Sequence, residues 1–169
     1  MVAKNIRPPI TIRTARPDEY DAVAEVIVDV YVGDGFIPAG SDYASILAQT
    51  AARAAHADIL VAEIDGEVVG TITIAAPGSR YAPLALPDEL EFRMLAVAKT
   101  ARGSGIGTAL VRRVLETAAD GGYRAVVIST MPDMVDARRI YDEIGFVHVP
   151  ERDWVPEPGV QLTVMACSV

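Results

Sequence analysis

The residues with the clearest chemical potential are Arg102-Gly103-Ser104-Gly105-Ile106-Gly107. They sit where the hydrophobic period changes. Before them, Phe92, Met94, Leu95, Ala96 and Val97 form a short apolar run that reads as a buried strand. After them, Ile106, Leu110 and Val114 recur every four residues, with Val111 and Leu115 on the adjoining face, which is helical spacing. A glycine turn between a strand and a helix start is how a fold cradles phosphate. The first N–H groups of a helix have no partner inside it. The helix dipole adds about half a positive charge there, and glycine lets an anion reach the backbone without meeting a Cβ. The same residues also permit a tight turn that binds nothing.

Three nucleotide motifs can be compared with the turn. A Walker A loop ends in Gly-Lys-Ser/Thr, and Gly107-Thr108-Ala109 lacks the lysine. A dinucleotide fingerprint needs a third glycine where Thr108 stands, and an acidic residue about twenty positions on, where Tyr123-Arg124-Ala125-Val126 lies instead. The pattern Arg/Gln-x-x-Gly-x-Gly/Ala fits at Arg102, Gly105 and Gly107. It resembles the pyrophosphate loop of the GNAT superfamily of acyl-CoA N-acyltransferases. About thirty residues on, Ala137, Tyr141, Gly145 and Phe146 match that family's Asn-x-x-Ala-x-x-Leu/Phe-Tyr-x-x-x-Gly-Phe helix, with Ile140 a conservative variant. Met134 stands where the family has its Asn, a departure that removes a side-chain hydrogen bond to the cofactor. The resemblance covers about residues 10–166.

The resemblance implies a GNAT fold of α+β type: a mixed six- to seven-stranded sheet with splayed central strands and about four helices. It implies transfer of an acetyl group from acetyl-CoA to the amine of a small molecule or peptide, by direct attack in a ternary complex. The pyrophosphate of coenzyme A then suits the N–H groups of Gly103, Ser104, Gly105, Ile106, Gly107 and Thr108, with Arg102 as a screening cation. The amide-rich pantetheine arm can add to a strand edge through backbone hydrogen bonds. The edge on offer is Leu95, Ala96 and Val97, where a bulge would splay it from its neighbour. A backbone N–H near Leu95 can polarise the thioester carbonyl.

Two roles remain. An amine of pKa about 10.4 is mostly protonated at pH 7, so a carboxylate must take a proton, directly or through water. Glu91 stands where the family often has its catalytic Glu, with Glu89 as nearest rival; Glu91 as a solvated strand end, or as a partner of Arg93, is the competing reading. Tyr141 is the expected donor to the departing sulfur. A phenol of pKa about 10 facing a thiol of about 8.5 makes complete early transfer uphill by about 2 kcal/mol, so a hydrogen bond to developing charge is favoured. An aromatic in a helix stripe is also ordinary core.

The surrounding elements follow from pattern. Residues 1–9 read as a loose arm before a strand at Ile10–Arg13. Pro17, then Val23, Val26, Ile27 and Val30, predict a helix over 17–31. A glycine-rich loop, 33–40, is either connection or substrate wall. Ser41 or Asp42 caps a second helix over 42–56. Asp65-Gly66 joins strands 59–64 and 68–75 as a hairpin. Strand 91–97, helix 105–119, strand 125–129, a helix from Pro132 to Ile144, strand 146–149 and a last strand near 161–167 complete the order. A loop with Trp154 separates the last two. Glu151-Arg152-Asp153-Trp154 rims the acceptor pocket with Tyr31, Phe36 and Tyr43, or serves as an internal salt bridge and packing.

Length and composition fit one domain, 1–169, with a sizeable core. A net charge of −8 disfavours nucleic acid. No apolar run nears the roughly 20 residues of a membrane span, and Met1–Arg7 lacks the apolar core of a signal peptide. Cys167 is the sole cysteine, which points to a reducing cytosol and a cytoplasmic protein; it reads as core rather than nucleophile. His56 and His148 make no metal pattern, so no metal is expected. An exposed last strand would offer a homodimer edge. A catalytically silent acyl-CoA sensor of the same fold is the alternative function.

Overall fold

A computed structural model describes residues 7–169. The first six residues of the expected N-terminal arm lie outside the described residues. The sheet follows the order β1-β2-β3-β4-β5-β8-β6, with β7 paired to β8 off that path. Its strands are β1 (Thr11–Thr14), β2 (Asp58–Ile64), β3 (Glu67–Ala75), β4 (Glu89–Val97), β5 (Ala125–Thr130), β6 (Val147–His148), β7 (Trp154–Glu157) and β8 (Val160–Ser168). Among the described residues only β4 and β5 pair in parallel; every other pairing there is antiparallel. The helices are α1 (Tyr20–Tyr31), α2 (Asp42–Ala48), α3 (Thr50–Ala54), α4 (Ile106–Asp120) and α5 (Val135–Ile144). Asp65 and Gly66 take φ of 51° and 83°, as the β2–β3 hairpin turn requires.

The sheet has an apolar layer on each face. On one, Ile106, Leu110, Val111 and Val114 of α4 pack with Tyr141 of α5 on Ile72, Ile74, Leu90, Phe92, Val126 and Ile128. On the other, Val23, Ile27 and Val30 of α1 and Leu47 of α2 cover Val61, Met94 and Ala96. The strand β4 contributes to both because it carries a bulge. Thr73 faces Arg93, yet Thr71 faces Ala96, so β4 holds one extra residue there. Met94 sits at the bulge with φ of 57°, a left-handed backbone that costs a non-glycine residue about 1–2 kcal/mol. Leu90 and Phe92 lie under α4, whereas Met94 and Ala96 lie against α1. The bulge therefore reverses the faces of the strand at Met94.

Several expectations change. The helix read over 42–56 is two helices broken at Gln49 (φ −88°, ψ 64°). No Pro or Gly marks the break; it accompanies burial of Leu47, Thr50 and Arg53. Ser41 is the cap of α2, accepting from the Ala44 amide at 3.2 Å. The first turn of the helix read over 17–31, Pro17–Glu19, is 3-10 rather than α. The segment with Trp154, read as loop, contains β7, an edge strand in which Pro156 sits without a partner between Trp154↔Leu162 and Glu157↔Val160. The sheet thus has eight strands. The last strand is not an exposed edge: β8 lies between β5 and β6 and also pairs with β7, so the dimer edge expected there is already filled. Among the described residues, no helix is long and apolar enough to cross a membrane.

Candidate active site

The glycine turn leaves its amides free. After β4, a 3-10 turn at Lys99–Ala101 leads to Gly103 and Gly105, at φ of 76° and 80°. A Cβ built on either glycine would meet nothing within 4 Å, so the space before the turn is open. No backbone N–H from Gly103 to Thr108 has an acceptor among the described residues; the next, Ala109, bonds the Gly105 carbonyl at 3.0 Å. Six amides thus stand unpaired at the mouth of a fifteen-residue helix, as a phosphate site requires. Gly107 has another job. A Cβ there would lie 2.8 Å from Ile140 Cδ1, so it lets α4 approach α5.

Arg102 stands beside this mouth but is engaged. Its Nη2 lies 2.5 Å from Asp34 Oδ2, and Lys99 Nζ lies 3.6 Å from the other oxygen. The Arg102 hydrogen bond, with both cations nearby, holds the Asp34 carboxyl below its ordinary range. Lys99 also lies 3.8 Å from Asp29 Oδ1, so two cations face two carboxylates beside the mouth. The sequence signal for Asp34 was only its place between Gly33 and Gly35, so its role was missed.

The central strands part as the resemblance implied. Pairing of β4 with β5 covers Glu89↔Ala125, Leu90↔Val126 and Glu91↔Val127 and then ends. From Phe92 to Val97 the β5-facing edge of β4 is unpaired. A cavity of about 510 Å³ opens at the parted ends, lined by Leu95, Ala96 and Val97, by Gly103 and Gly105–Thr108, and by Met134–Ala137 and Ile140 of the facing helix. Tyr31, Asp34 and Phe36 close it from the α1 side. Its size lies within the ordinary range for small-molecule sites. Free amides, open glycines and an unpaired strand edge suit the diphosphate and amide arm of coenzyme A.

Glu91 lies inside β4, because the strand begins two residues earlier than the apolar run indicated. It is 0 % exposed, so it is not a solvated strand end. One carboxylate oxygen accepts from the Leu84 and Ala85 amides at 2.9 and 3.0 Å; the other, Oε1, has no partner among the described residues. No ion pair joins it to Arg93 within 4 Å among the described residues. Burial pushes its carboxyl above the ordinary range, outweighing the two amides and the charges of Arg93 and Arg152. Its rival Glu89 is equally deep, but burial there is outweighed by hydrogen bonds from Arg152 and the Leu86 amide and by the Arg152 and Arg124 charges. Glu89 is thus held ionised and occupied. Arg152 takes the internal-bridge role that the charged turn offered. His148 bonds Asp153 at 2.8 Å.

Tyr141 is 5 % exposed and packs edge-on to Phe92 at 5.7 Å and tilted against Phe146 at 5.7 Å. Burial raises its hydroxyl well above 10, and that hydroxyl bonds no group among the described residues. It is not among the residues lining the cavity. Met134 lines the cavity at the residue preceding α5 and gives that helix no side-chain cap. Tyr31 and Phe36 line this same cavity, whereas Tyr43 accepts from Arg93 Nη2 at 3.2 Å. Cys167 is half-buried with its thiol pushed up by burial, unlike an activated nucleophile. Among the described residues no group of His, Cys, Asp and Glu gathers as a metal site.

An opened parallel strand pair beside a free-amide helix mouth is the architecture of the acetyltransferase (GNAT) family, whose model matches residues 24–146. The chain belongs to that family. It is 36% identical over 104 residues to an N-acetylaspartate synthetase of Rattus norvegicus, covering 62% of this chain and 32% of that protein. The chain thus spans about a third of the length of that curated relative. Its fold is similar to a GNAT acetyltransferase of Staphylococcus aureus Mu50, with a TM-score of 0.76, 16% identity and coverage of 95% and 99% of the two chains. It is also similar to a putative acetyltransferase of Salmonella typhimurium described with its cofactor acetyl-CoA, with a TM-score of 0.67, 22% identity and coverage of 95% and 94%.

Proposed function

We propose that this chain is an acetyl-CoA-dependent N-acetyltransferase acting on the amine of a small molecule or peptide by direct attack in a ternary complex. The observation that carries this is the set of unpartnered amides from Gly103 to Thr108 at the mouth of the parted β4–β5 pair. Those amides, with Arg102, hold the diphosphate. The unpaired edge at Leu95, Ala96 and Val97 orients the pantetheine arm. Acetyl-CoA supplies an acyl group activated as a thioester. The relative named N-acetylaspartate synthetase supports an amine acceptor. The lone Cys167 supports a reducing, cytoplasmic setting.

Glu91 takes a proton from the acceptor ammonium. Its free Oε1 and raised pKa fit a base poised closer to neutrality than an exposed carboxylate. Tyr141 supports the departing thiolate by hydrogen bonding rather than by early proton transfer, because its hydroxyl is far weaker an acid than a thiol. The backbone N–H near Leu95 polarises the thioester carbonyl.

A second reading, a silent acyl-CoA sensor of the same fold, draws support from the absence of both Tyr141 and Glu91 from the cavity lining and from Met134 in place of the family Asn. Thermal shift with acetyl-CoA tests both readings together: no stabilisation at concentrations far above any plausible Kd overturns them. Thiol release across an amine panel then separates them. Turnover with any amine identifies the enzyme, and release no faster than buffer with all amines identifies the sensor.

A further inference from the structure

We propose that Arg152 is a positioning residue of the transfer site: acting through the Leu84–Ala85 peptide, it fixes one oxygen of Glu91 and leaves Oε1 as the atom that takes the acceptor's proton. This rests on the reading of Glu91 as the base and assigns the part that orients it. Arg152 ends the 3-10 turn Pro150–Arg152. Its Nη1 and Nη2 donate to the two oxygens of Glu89 at 3.0 and 2.9 Å. The Nη2 also donates to the Leu84 carbonyl at 2.5 Å. An ion pair with Glu89 accounts for the first two bonds, and the third joins Arg152 to Glu91.

The Leu84 carbonyl and the Ala85 N–H belong to one peptide group, and in a trans peptide they point in opposite directions. Arg152 holds the oxygen end, while the N–H end donates to Glu91 Oε2 at 3.0 Å. The Leu84 amide donates to that same oxygen at 2.9 Å, and the Leu86 amide donates to Glu89 Oε2 at 3.0 Å. Three consecutive amides thus serve two buried carboxylates. A cation on the carbonyl also polarises the peptide, which makes its N–H a stronger donor. The strap has little apolar anchorage of its own, since Pro83, Leu86, Pro87 and Asp88 are exposed. Its place on β4 depends on these polar contacts.

The consequence falls on Glu91. Two amides fill Oε2, and Oε1 has no partner among the described residues, so an arriving proton goes to Oε1. Glu91 is the last residue of β4 paired with β5, which sets it at the fork where the strands part. It does not line the cavity, so the proton travels through an intervening water. An N–H bond of the ammonium breaks, an O–H bond forms at Oε1, and the electron pair stays on nitrogen for attack. The charged groups that face Glu91 are Arg93, two residues on along β4, and Arg152. Glu89, two residues back, is neutralised by Arg152 and Arg124. The paired strands β3 and β5 place Ala75 and Val127 opposite Glu91. Both amides and both cations favour its ionised form against burial. Loss of the Arg152 contact therefore makes Glu91 hold its proton more tightly.

The test follows the titration of Glu91 by two routes. One is the acid limb of kcat/KM in thiol release with acetyl-CoA and an amine that the wild type turns over. The other needs no turnover: the melting temperature of each form, less that of the same form carrying Glu91→Gln, followed across pH. That difference falls from the ordinary carboxylate pKa up to the raised folded value and then levels, so the levelling point reads the folded pKa. Arg152→Gln should move both readings upward by about one pH unit. On the acid limb that is a fall of about tenfold in kcat/KM, with a smaller fall above it. Arg152→Lys, which keeps a cation at the carbonyl, should move them less. Ala85→Pro removes the N–H and leaves Arg152 and Glu89 in place; it should shift both readings in the same direction, and it carries the test if Arg152→Gln does not fold. Adding Arg152→Gln to Ala85→Pro should move them less than it does in the wild type, because the route is already cut. A levelling point unmoved in Arg152→Gln and Ala85→Pro, or full additivity of the two, overturns the role and leaves Arg152 a structural bridge. A levelling point that moves while the acid limb stays in place overturns Glu91 as the base and leaves the hold on Oε2 standing.

Discussion

Arg102 Nη2 lies 2.5 Å from Asp34 Oδ2, across sixty-eight residues of chain, at the mouth of the cavity that Gly103–Thr108 frame. A diphosphate arriving at those amides therefore competes with a resident carboxylate for the nearest guanidinium. The pair is substantially solvated, with side chains 41% and 24% exposed, so breaking it costs about 0.2–1 kcal/mol. Asp34→Asn is expected to tighten coenzyme A binding by about two- to fivefold at low salt, with the gain shrinking as salt rises. Isothermal titration at two ionic strengths reads this directly; weaker binding would make Asp34 a support of Arg102 rather than a competitor.

The glycines of the turn should separate by function. Gly105→Ala forces a side chain into a left-handed backbone at about 1–2 kcal/mol and puts a methyl in the open approach. Coenzyme A affinity should fall about tenfold or more. Gly107→Ala instead meets the terminal methyl of Ile140, which can shift, and the helix itself gains about 0.5–1 kcal/mol from the exchange. Its melting temperature should stay within a few degrees of wild type. Equal binding losses in the two variants would deny the turn its special role.

Glu91 is expected to trade stability for activity. Its proton is held more tightly in the folded than in the unfolded chain, because burial raises its pKa. Its contribution thus favours the fold at low pH and turns against it as pH rises through that raised value. Glu91→Gln should raise the melting temperature at pH 8 more than at pH 5, and lower kcat at both. The acid limb of wild-type kcat/KM should lie above the ordinary carboxylate range. A limb at or below pH 4.5, or a variant of unchanged kcat, would remove Glu91 from the reaction.

Tyr141→Phe isolates the hydroxyl. That group bonds nothing among the described residues, and the ring packing on Phe92 and Phe146 survives the change. Stability should move by less than about 1 kcal/mol. Single-turnover acetyl transfer should slow about tenfold or more while acetyl-CoA affinity holds. A variant that merely melts earlier would leave Tyr141 as core, as its packing on Phe92 and Phe146 allows.

Local chemistry was legible wherever a residue type forces a conformation. Asp65-Gly66, the Gly103–Gly107 turn and Gly145 past α5 each marked a boundary the structure keeps. So did the four-residue spacing of Ile106, Leu110 and Val114. What escaped was set by tertiary packing. Nothing at Gln49 announces that the 42–56 helix breaks, and without that break Arg53 reads as an ordinary surface arginine. Glu91 read as a strand end because its neighbours Glu89 and Leu90 hide the true start of β4. Asp34 gained meaning only when the fold brought a loop next to Arg102.

The extra residue at Met94 gives β4 two alphabets along one strand. Upstream of it, side chains that handle charge point toward α1–α3; downstream, the backbone itself is on offer to the parted edge. A site arranged in this way tolerates exchange of letters but not a change in their count. Removing Met94 would restore strict alternation, turn Leu95 and Val97 over, and erase both halves of the site at once, though no residue argued to act in it had been altered.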